Sequence, residues 1–215
     1  MNDEFPVFKK ESLNKKLIMY SVAAGMTLSL GAKAHAEIQY TNIDPEKTIA
    51  QVKLNSTNDF LLDLNNDGTP EFKIFQTYWY TTSSSYYYTG NSVRQTAING
   101  GLSVMRETAD NAYVATLSSN DLISASQNFN ADKTLGGNSI SSYDFVQTDG
   151  PWPGAGQKFM GVKFKIGENV HYGWIRLLVG NTCESFVVYD YAYEDESGKA
   201  IRAGQIDYSS HEDQE

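Results

Sequence analysis

Cysteine and histidine are scarce in this chain of 215 residues, which contains one cysteine, Cys183, and three histidines. A single cysteine excludes an intramolecular disulfide framework and a metal site built from several thiolates. A disulfide to a second chain remains open. A catalytic thiol would need a partnered base. Because so few histidines are present, we interpret Cys183 as a structural thiol at the mouth of a strand.

Long hydrophobic runs are missing after residue 36, whereas residues 1–36 have the three zones of a secretory signal. A lysine-rich start precedes an uncharged run from Leu17 to Ala32, and Ala34-His35-Ala36 offers a small–x–small cleavage site. The alternative is a retained membrane anchor, but the run of about 16 residues is shorter than the roughly 20 needed to cross a bilayer. We therefore expect cleavage before Glu37, export to the periplasm or medium, and no membrane insertion after cleavage.

Positive charge is also in short supply once this segment is removed. The first 36 residues hold five lysines and three acidic residues, so 12 basic and 23 acidic residues remain, a net charge of about −11. Such a chain repels phosphate backbones and anionic lipid. Nucleic acid and membrane surfaces are therefore excluded as expected partners, and divalent cations are favoured.

Helical periodicity is almost absent, and short apolar strands alternate with clusters of turn residues. Phe72 to Tyr80 shows the two-residue alternation of a strand, with Phe72, Ile74, Gln76 and Tyr78 on one face. Three further strands, at 159–166, 170–179 and 186–193, are joined by short turns and predict a C-terminal antiparallel meander. No segment offers the helix of a βαβ crossover, so a parallel sheet is not expected.

The predicted fold is therefore all-β, an antiparallel β-sandwich or jelly roll that ends in this three-strand meander. The domain is expected to span residues 37–205 and to be followed by a disordered acidic tail at 206–215. The stretch from 118 to 156 is rich in Ser, Asn, Asp and Gly, and we interpret it mainly as loop, with a short helix or strand within it as the alternative.

One loop carries oxygen ligands at alternate positions, the pattern that brings them to a single point around Ca²⁺. The candidate ligands are Asp63, Asn65, Asp67, Thr69 (through its carbonyl) and Glu71. Gly68 at the sixth position permits the sharp bend. The twelfth position is Ile74 rather than the usual glutamate, which argues against a helix–loop–helix sensor. A structural Ca²⁺ site is favoured over the alternative, a β-turn with Asx capping.

Aromatic residues offer a second class of candidate site. Rings with a flat apolar face and a polar tip suit recognition of sugars, and the candidates are Trp79, Tyr87, Trp152 and Trp174. The alternative is an ordinary role in the core and in cross-strand pairs.

No catalytic constellation is evident. His171 is a candidate base with Asp190 or Glu194 as its orienting group, but no nucleophile lies in a recognisable motif, and a strand-end structural histidine is favoured. Glycan cleavage would need two carboxylates flanking the bond. The contiguous acids at 194–196 are better explained as a solvated loop. We assign no catalytic residue.

The final third carries a family resemblance. Its specific segments are His171-Tyr172-Gly173-Trp174-Ile175-Arg176 and Asp190-Tyr191-Ala192-Tyr193-Glu194. With the Asp-x-Asn-x-Asp-Gly loop, they resemble uncharacterised secreted bacterial proteins that often bear PEP-CTERM-type sorting signals. The loop is itself similar to FG-GAP, dockerin-type and thrombospondin type 3 calcium loops. The resemblance implies export and a β domain and assigns no activity. The chain departs from the group because no Pro-Glu-Pro, apolar helix and basic cluster follow Gly204.

The expected function is an exported, calcium-braced interaction module that binds an extracellular glycan or a surface protein. One alternative is an extracellular polysaccharide hydrolase, which would require a pair of carboxylates across a cleft. The other is a purely structural envelope protein with neither a groove nor a site.

Overall fold

The computed structural model describes residues 37–51, 53–83, 86–98, 101–105, 113–143 and 145–207, and this part of the chain contains β-strands and no helix. The strands are β1 (Ile38–Ala50), β2 (Ser56–Leu62), β3 (Phe72–Ser83), β4 (Tyr86–Ala97), β5 (Gly101–Met105), β6 (Leu122–Ile123), β7 (Phe129–Asn130), β8 (Asp132–Ser141), β9 (Val146–Asp149), β10 (Gln157–Ile166), β11 (Asn169–Val179), β12 (Ser185–Glu194) and β13 (Ile201–Arg202). A helix that could span a membrane is accordingly not found among these residues.

Two large antiparallel sheets form the fold, which confirms the predicted all-β sandwich. Sheet A has the strand order β1-β12-β11-β10-β5-β7, and sheet B has the order β2-β3-β4-β8-β9. A small third sheet pairs β13 with β6. The predicted C-terminal meander is present, since β10 pairs with β11 and β11 with β12 in antiparallel register. Gly167, with φ of 61°, occupies the two-residue turn of the first hairpin, where a left-handed backbone favours glycine.

The main core is made by the facing sides of sheets A and B. The two-residue alternation predicted for β3 is observed, because Phe72, Ile74 and Gln76 are buried while the side chains between them are partly exposed. Opposite them pack apolar side chains of sheet A, among them Met160, Val162, Phe164, Ile175, Leu177 and Phe186. Burial of each large apolar side chain contributes about 1.5–3 kcal/mol.

A second apolar cluster covers the other face of sheet A. It includes Trp174 of β11 together with Ile123 and Ile201 of the small sheet. The Trp174 ring meets the Phe159 ring edge to face at 5.3 Å between centroids. Sheet A is therefore covered on both sides, which explains why its central strand β11 is almost continuously buried.

The stretch 118–156, interpreted mainly as loop, also contains the short strands β6, β7 and β9 and the ten-residue strand β8. In β8 only Leu135 is a buried large apolar residue, so the strand lacks a hydrophobic alternation. Gly136 has a packing reason instead, because a Cβ there would lie 2.5 Å from Cγ of Pro153. The expected signal at 1–36 and residues 208–215 of the expected tail lie outside the described residues.

Candidate metal centre

The acidic loop predicted from the sequence connects β2 to β3. The two strands pair as far as Leu62 and Phe72, and the N–H of Glu71 donates to the carbonyl of Leu62 at 2.9 Å, which closes the base of the loop. Leu64 is buried in the main core and anchors the first half of the loop. The intervening polar side chains are therefore held above a fixed base.

Three carboxylates of this loop lie together. Oxygen atoms of Asp63, Asp67 and Glu71 all lie within 4.8 Å of one another. This spacing matches the distance between oxygens that share one cation at 2.3–2.6 Å from each. These residues stand at the first, fifth and ninth positions of the predicted loop, so the structure brings three of the five candidate ligands to one point.

Hydrogen bonds inside the loop set its turn. The Asp63 carboxylate accepts from the backbone N–H of Asp67 at 3.2 Å and from that of Gly68 at 2.7 Å. Gly68 has a φ of 87° and Asn66 a φ of 59°. A Cβ on Gly68 would meet nothing within 4 Å, so its glycine is favoured by the left-handed backbone and not by lack of space. These contacts are those of an Asx-capped turn.

Asn65 and Thr69, the two other candidate ligands, take part in the same turn. The Asn65 amide oxygen accepts from the N–H of Asp67 at 3.0 Å, and its amide nitrogen donates to the Asp67 carboxylate at 3.1 Å. Thr69 is exposed, and its N–H donates to Asp67 Oδ1 at 2.8 Å. These two residues shape the loop around Asp67, while the three carboxylates form the acidic cluster.

Glu71 distinguishes this loop from a simple turn, because its side chain is only 2% exposed. Its Oε2 accepts from the N–H of Leu64 at 2.8 Å. Burial raises the pKa of Glu71 to about 7; the Leu64 hydrogen bond opposes this shift, and the charges of Asp63 and Asp67 add to it. A buried carboxylate beside two others is costly when ionised, and a cation is what would relieve that cost.

The loop is also tied to sheet A. The Tyr191 hydroxyl, from β12, donates to the carbonyl of Asp63 at 3.1 Å. Burial, with the nearby Asp63 and Glu71 charges, raises the pKa of Tyr191. On the other side, the carbonyl of Glu71 accepts from the N–H of Ile98, just after β4. The acidic cluster is thus held by both sheets, a contact that sequence inspection missed because Tyr191 is distant along the chain.

The four aromatic candidates are not brought together. Trp152 and Trp174 are 0% and 1% exposed, and their indole N–H groups donate to the carbonyls of Val114 and Gln205, each at 3.0 Å. Tyr87 is 52% exposed and stacks with Tyr80 at 6.4 Å between centroids. Trp79 pairs with Gly90 across β3 and β4. Because Trp79 and Tyr80 are consecutive residues of one strand, they lie on opposite faces of sheet B.

His171 sits in a packed aromatic environment. It is 5% exposed, and its ring centroid lies 6.0 Å from that of Phe164 and 6.1 Å from that of Tyr193. Its Nδ1 is 2.8 Å from the backbone carbonyl of Glu194, while the Asp190 carboxylate accepts from Arg176. Asp190, one of the two candidate orienting groups for His171, therefore binds Arg176 instead.

Cys183 lies in the turn between β11 and β12 and is fully buried. Burial raises the pKa of its thiol to about 12. At neutral pH it is therefore a neutral, shielded group, consistent with the structural interpretation.

Fold and geometry together define an all-β sandwich with a carboxylate-rich loop held against both sheets. Comparisons with protein-family models, with curated proteins and with solved structures gave no match to this chain. The resemblance to secreted bacterial proteins therefore stays a prediction.

Proposed function

We propose that this protein is an exported β-sandwich, braced by Ca²⁺, that acts as an extracellular or surface interaction module. The observation that carries the calcium part is the burial of Glu71 next to Asp63 and Asp67. The expected signal at 1–36 and the resemblance to secreted bacterial proteins support the export part. The partner is proposed to be a glycan or a surface protein.

Calcium suits the cluster for chemical reasons. Ca²⁺ prefers six to eight oxygen ligands in a flexible arrangement, which carboxylates, loop carbonyls and water can provide together. Mg²⁺ demands a near-octahedral shell and dehydrates reluctantly, so a partly buried carboxylate site fits it less well. Extracellular modules often bind Ca²⁺ with dissociation constants of about 10⁻⁴–10⁻³ M, and a site of that strength would be loaded outside the cell.

The role proposed for the ion is to stabilise the junction between the sheets. Asp63 follows β2 and Glu71 precedes β3, so one ion bound to both would hold the ends of two strands together. The same two residues contact Tyr191 of sheet A and Ile98 beyond β4 through their carbonyls. Stability of the loop is thereby linked to stability of the sandwich.

Thermal melting during a calcium titration tests the metal site. Because an ion that binds only the folded state stabilises it, saturation at 100 times the dissociation constant should add about 2.7 kcal/mol and raise Tm, and EDTA should reverse the gain. Asp67→Ala should abolish most of it. Asp59→Ala is the matched control, since Asp59 is an exposed acid on β2 of the same hairpin and outside the cluster; it should respond like the parent.

A Tm that calcium does not change, together with an Asp67→Ala variant that melts like the parent, would show that the loop is only a turn. The export proposal has its own measurement. Mass spectrometry of the protein recovered from the periplasm or medium of a bacterial host should give a mature chain that begins at Glu37. A full-length chain retained in the cytoplasm would contradict export.

A further inference from the structure

A groove of about 180 Å³, open to solvent, lies on the outer face of sheet B. Side chains of β3, β4, β8 and β9 line it, together with Tyr113. Trp79, Gly90 and Ser139 pair across β3, β4 and β8 and so share one face of the sheet. This is the outer face, because the alternate residues Phe72, Ile74 and Gln76 of β3 are the ones buried in the core. The groove is separate from the acidic cluster, since Asp63, Asp67 and Glu71 do not line it.

Trp79 forms one wall of the groove. A Cβ on Gly90 would lie 2.5 Å from Cζ2 of the indole and 2.8 Å from Cε2, so the ring lies directly over the glycine. Only a residue without a side chain permits this position. The indole is partly exposed, unlike those of Trp152 and Trp174, and so presents aromatic surface to the groove.

Tyr113 and Asp149 form the opposite wall. The Tyr113 ring packs against Gly150, where a Cβ would lie 3.0 Å from Cδ1. Asp149 is exposed and lines the groove beside Tyr113. Burial, with the charge of Asp149, raises the pKa of Tyr113. Both Asp149 oxygens accept from the Gln147 amide at 3.0 Å, and this fixes the carboxylate at the edge of the groove.

The floor between the walls is small and polar, since it is made by Ser92, Gly137 and Ser139. An aromatic ring at one side supplies an apolar face, while a carboxylate and hydroxyl groups supply acceptors and donors at the other. A sugar ring has the same division, with apolar C–H faces and a rim of hydroxyls. A cationic ligand would also meet Trp79 and Asp149 and is therefore included in the test, whereas an anionic sugar would be repelled by Asp149 and by the acidic chain.

We propose that this groove binds one neutral pyranose unit of a glycan, with the sugar face on Trp79 and its hydroxyls donating to Asp149. The inference rests on the proposed function as an interaction module, and it names the class of ligand. Its site is distinct from the calcium loop, so the two proposals can fail separately.

Calorimetric titration of the full mature chain with glucose, galactose, mannose and N-acetylglucosamine tests the site. At least one of these should bind with a millimolar dissociation constant, typical of a single sugar ring on a shallow site. Asp149→Asn should weaken binding about tenfold, because a neutral amide oxygen accepts a weaker hydrogen bond than a carboxylate does. As Asp149 is exposed, this variant should keep the parent's circular dichroism and Tm.

Trp79→Ala should abolish sugar binding, and Tyr80→Ala is its matched control. Tyr80 is the next residue on β3, is 42% exposed, and lies on the other face of the sheet, so its loss should leave sugar binding unchanged. Failure of all four sugars to bind would overturn the proposal. So would sugar binding that survives Trp79→Ala, since the indole would then only cover Gly90, or binding of tetramethylammonium in place of sugars.

The calcium-loop variant separates this proposal from the metal site. Asp67→Ala should lose calcium stabilisation and, in EDTA, should still bind the sugar, because no residue of the acidic cluster lines the groove. Sugar binding without any calcium effect would refute the metal site alone. A calcium effect without sugar binding would refute the groove alone.

Discussion

Glu71 and Asp190 are two buried carboxylates that differ in the charge of the groups around them. Each is 2% exposed. Arg176 donates to Asp190 from Nε at 2.9 Å and from a terminal nitrogen at 2.5 Å, and the Tyr40 hydroxyl donates at 2.9 Å. Glu71 accepts from a backbone N–H and faces two further acids. Among the described residues no lysine or arginine forms an ion pair with it.

The difference shows where the balancing charge must come from. At Asp190 the fold supplies a bidentate guanidinium, so the charge is neutralised by the chain itself. At Glu71 the fold supplies more negative charge, so the charge is balanced only if a cation binds from solution or the carboxylate takes up a proton. Equal burial thus has opposite consequences, one structural and one dependent on the medium.

Removal of the internal cation should have the largest effect. Arg176→Leu leaves Asp190 buried with only the Tyr40 hydroxyl, and loss of one partner of a buried pair costs about 3–5 kcal/mol. Because Arg176 is 36% exposed, we expect the lower end, about 3 kcal/mol, in urea unfolding. The loss should be the same with calcium and with EDTA.

The double variant Arg176→Leu/Asp190→Asn is the control for this prediction. It removes the stranded charge and should recover most of the lost stability. A loss that the double variant does not recover would show that Arg176 acts through the packing of its stem and not through its charge.

The second prediction concerns the pH dependence at Glu71. The pKa of about 7 in the folded state exceeds the usual 4.5, so the folded chain holds this proton more tightly than the unfolded chain does. The stability it contributes is complete below pH 4.5 and is lost as pH rises through 7. In EDTA, Glu71→Gln should therefore match the parent near pH 5 and exceed it by about 2 kcal/mol at pH 8.

Saturating calcium should reverse that order, because the parent gains an ion that Glu71→Gln binds less well. Urea unfolding of both proteins at the two pH values, with EDTA and with calcium, measures the four differences. If Glu71→Gln were less stable than the parent at pH 8 in EDTA, the buried charge would be compensated within the chain, and the contrast with Asp190 would be lost.

The local part of the acidic cluster was predictable from the sequence. Asp63, Asp67 and Glu71 lie within nine residues of one another, and alternate spacing around Gly68 is enough to bring such side chains together. Tyr191 was not predictable, because it contacts Asp63 across a separation of 128 residues. The Arg176–Asp190 pair depends on the register of β11 and β12, which shifts at a bulge beside Arg176.

The fold class and the meander followed from the alternation of apolar residues, whereas β8 did not. Gly136 and Gly137 look like turn residues. The space beside Gly136 is filled by Pro153, which comes later in the chain, whereas a Cβ on Gly137 would make only an ordinary contact. For the tryptophans, residue type could not separate core from surface. Trp152 is enclosed in the core, whereas Trp79 lies on an outer face of sheet B opposite Gly90. The face that Trp79 occupies depends on the register of its strand.

The smallest expected effects come from the two tyrosine hydroxyls that touch these regions. Tyr191→Phe removes the hydrogen bond to the Asp63 carbonyl and should cost about 1 kcal/mol, since the acceptor is neutral. Tyr40→Phe removes a bond to Asp190 at a site where the ring is 41% exposed, and a similar loss is expected.

Calcium should tell the two tyrosine variants apart. Tyr191 positions the acidic loop against sheet A, so Tyr191→Phe should weaken calcium affinity in the titration followed by Tm, whereas Tyr40→Phe should leave that affinity unchanged. Equal calcium affinity in both variants would mean that the loop holds its carboxylates in place without help from sheet A. The cluster would then be a property of the β2–β3 hairpin alone, and the bracing of one sheet against the other would have to be abandoned.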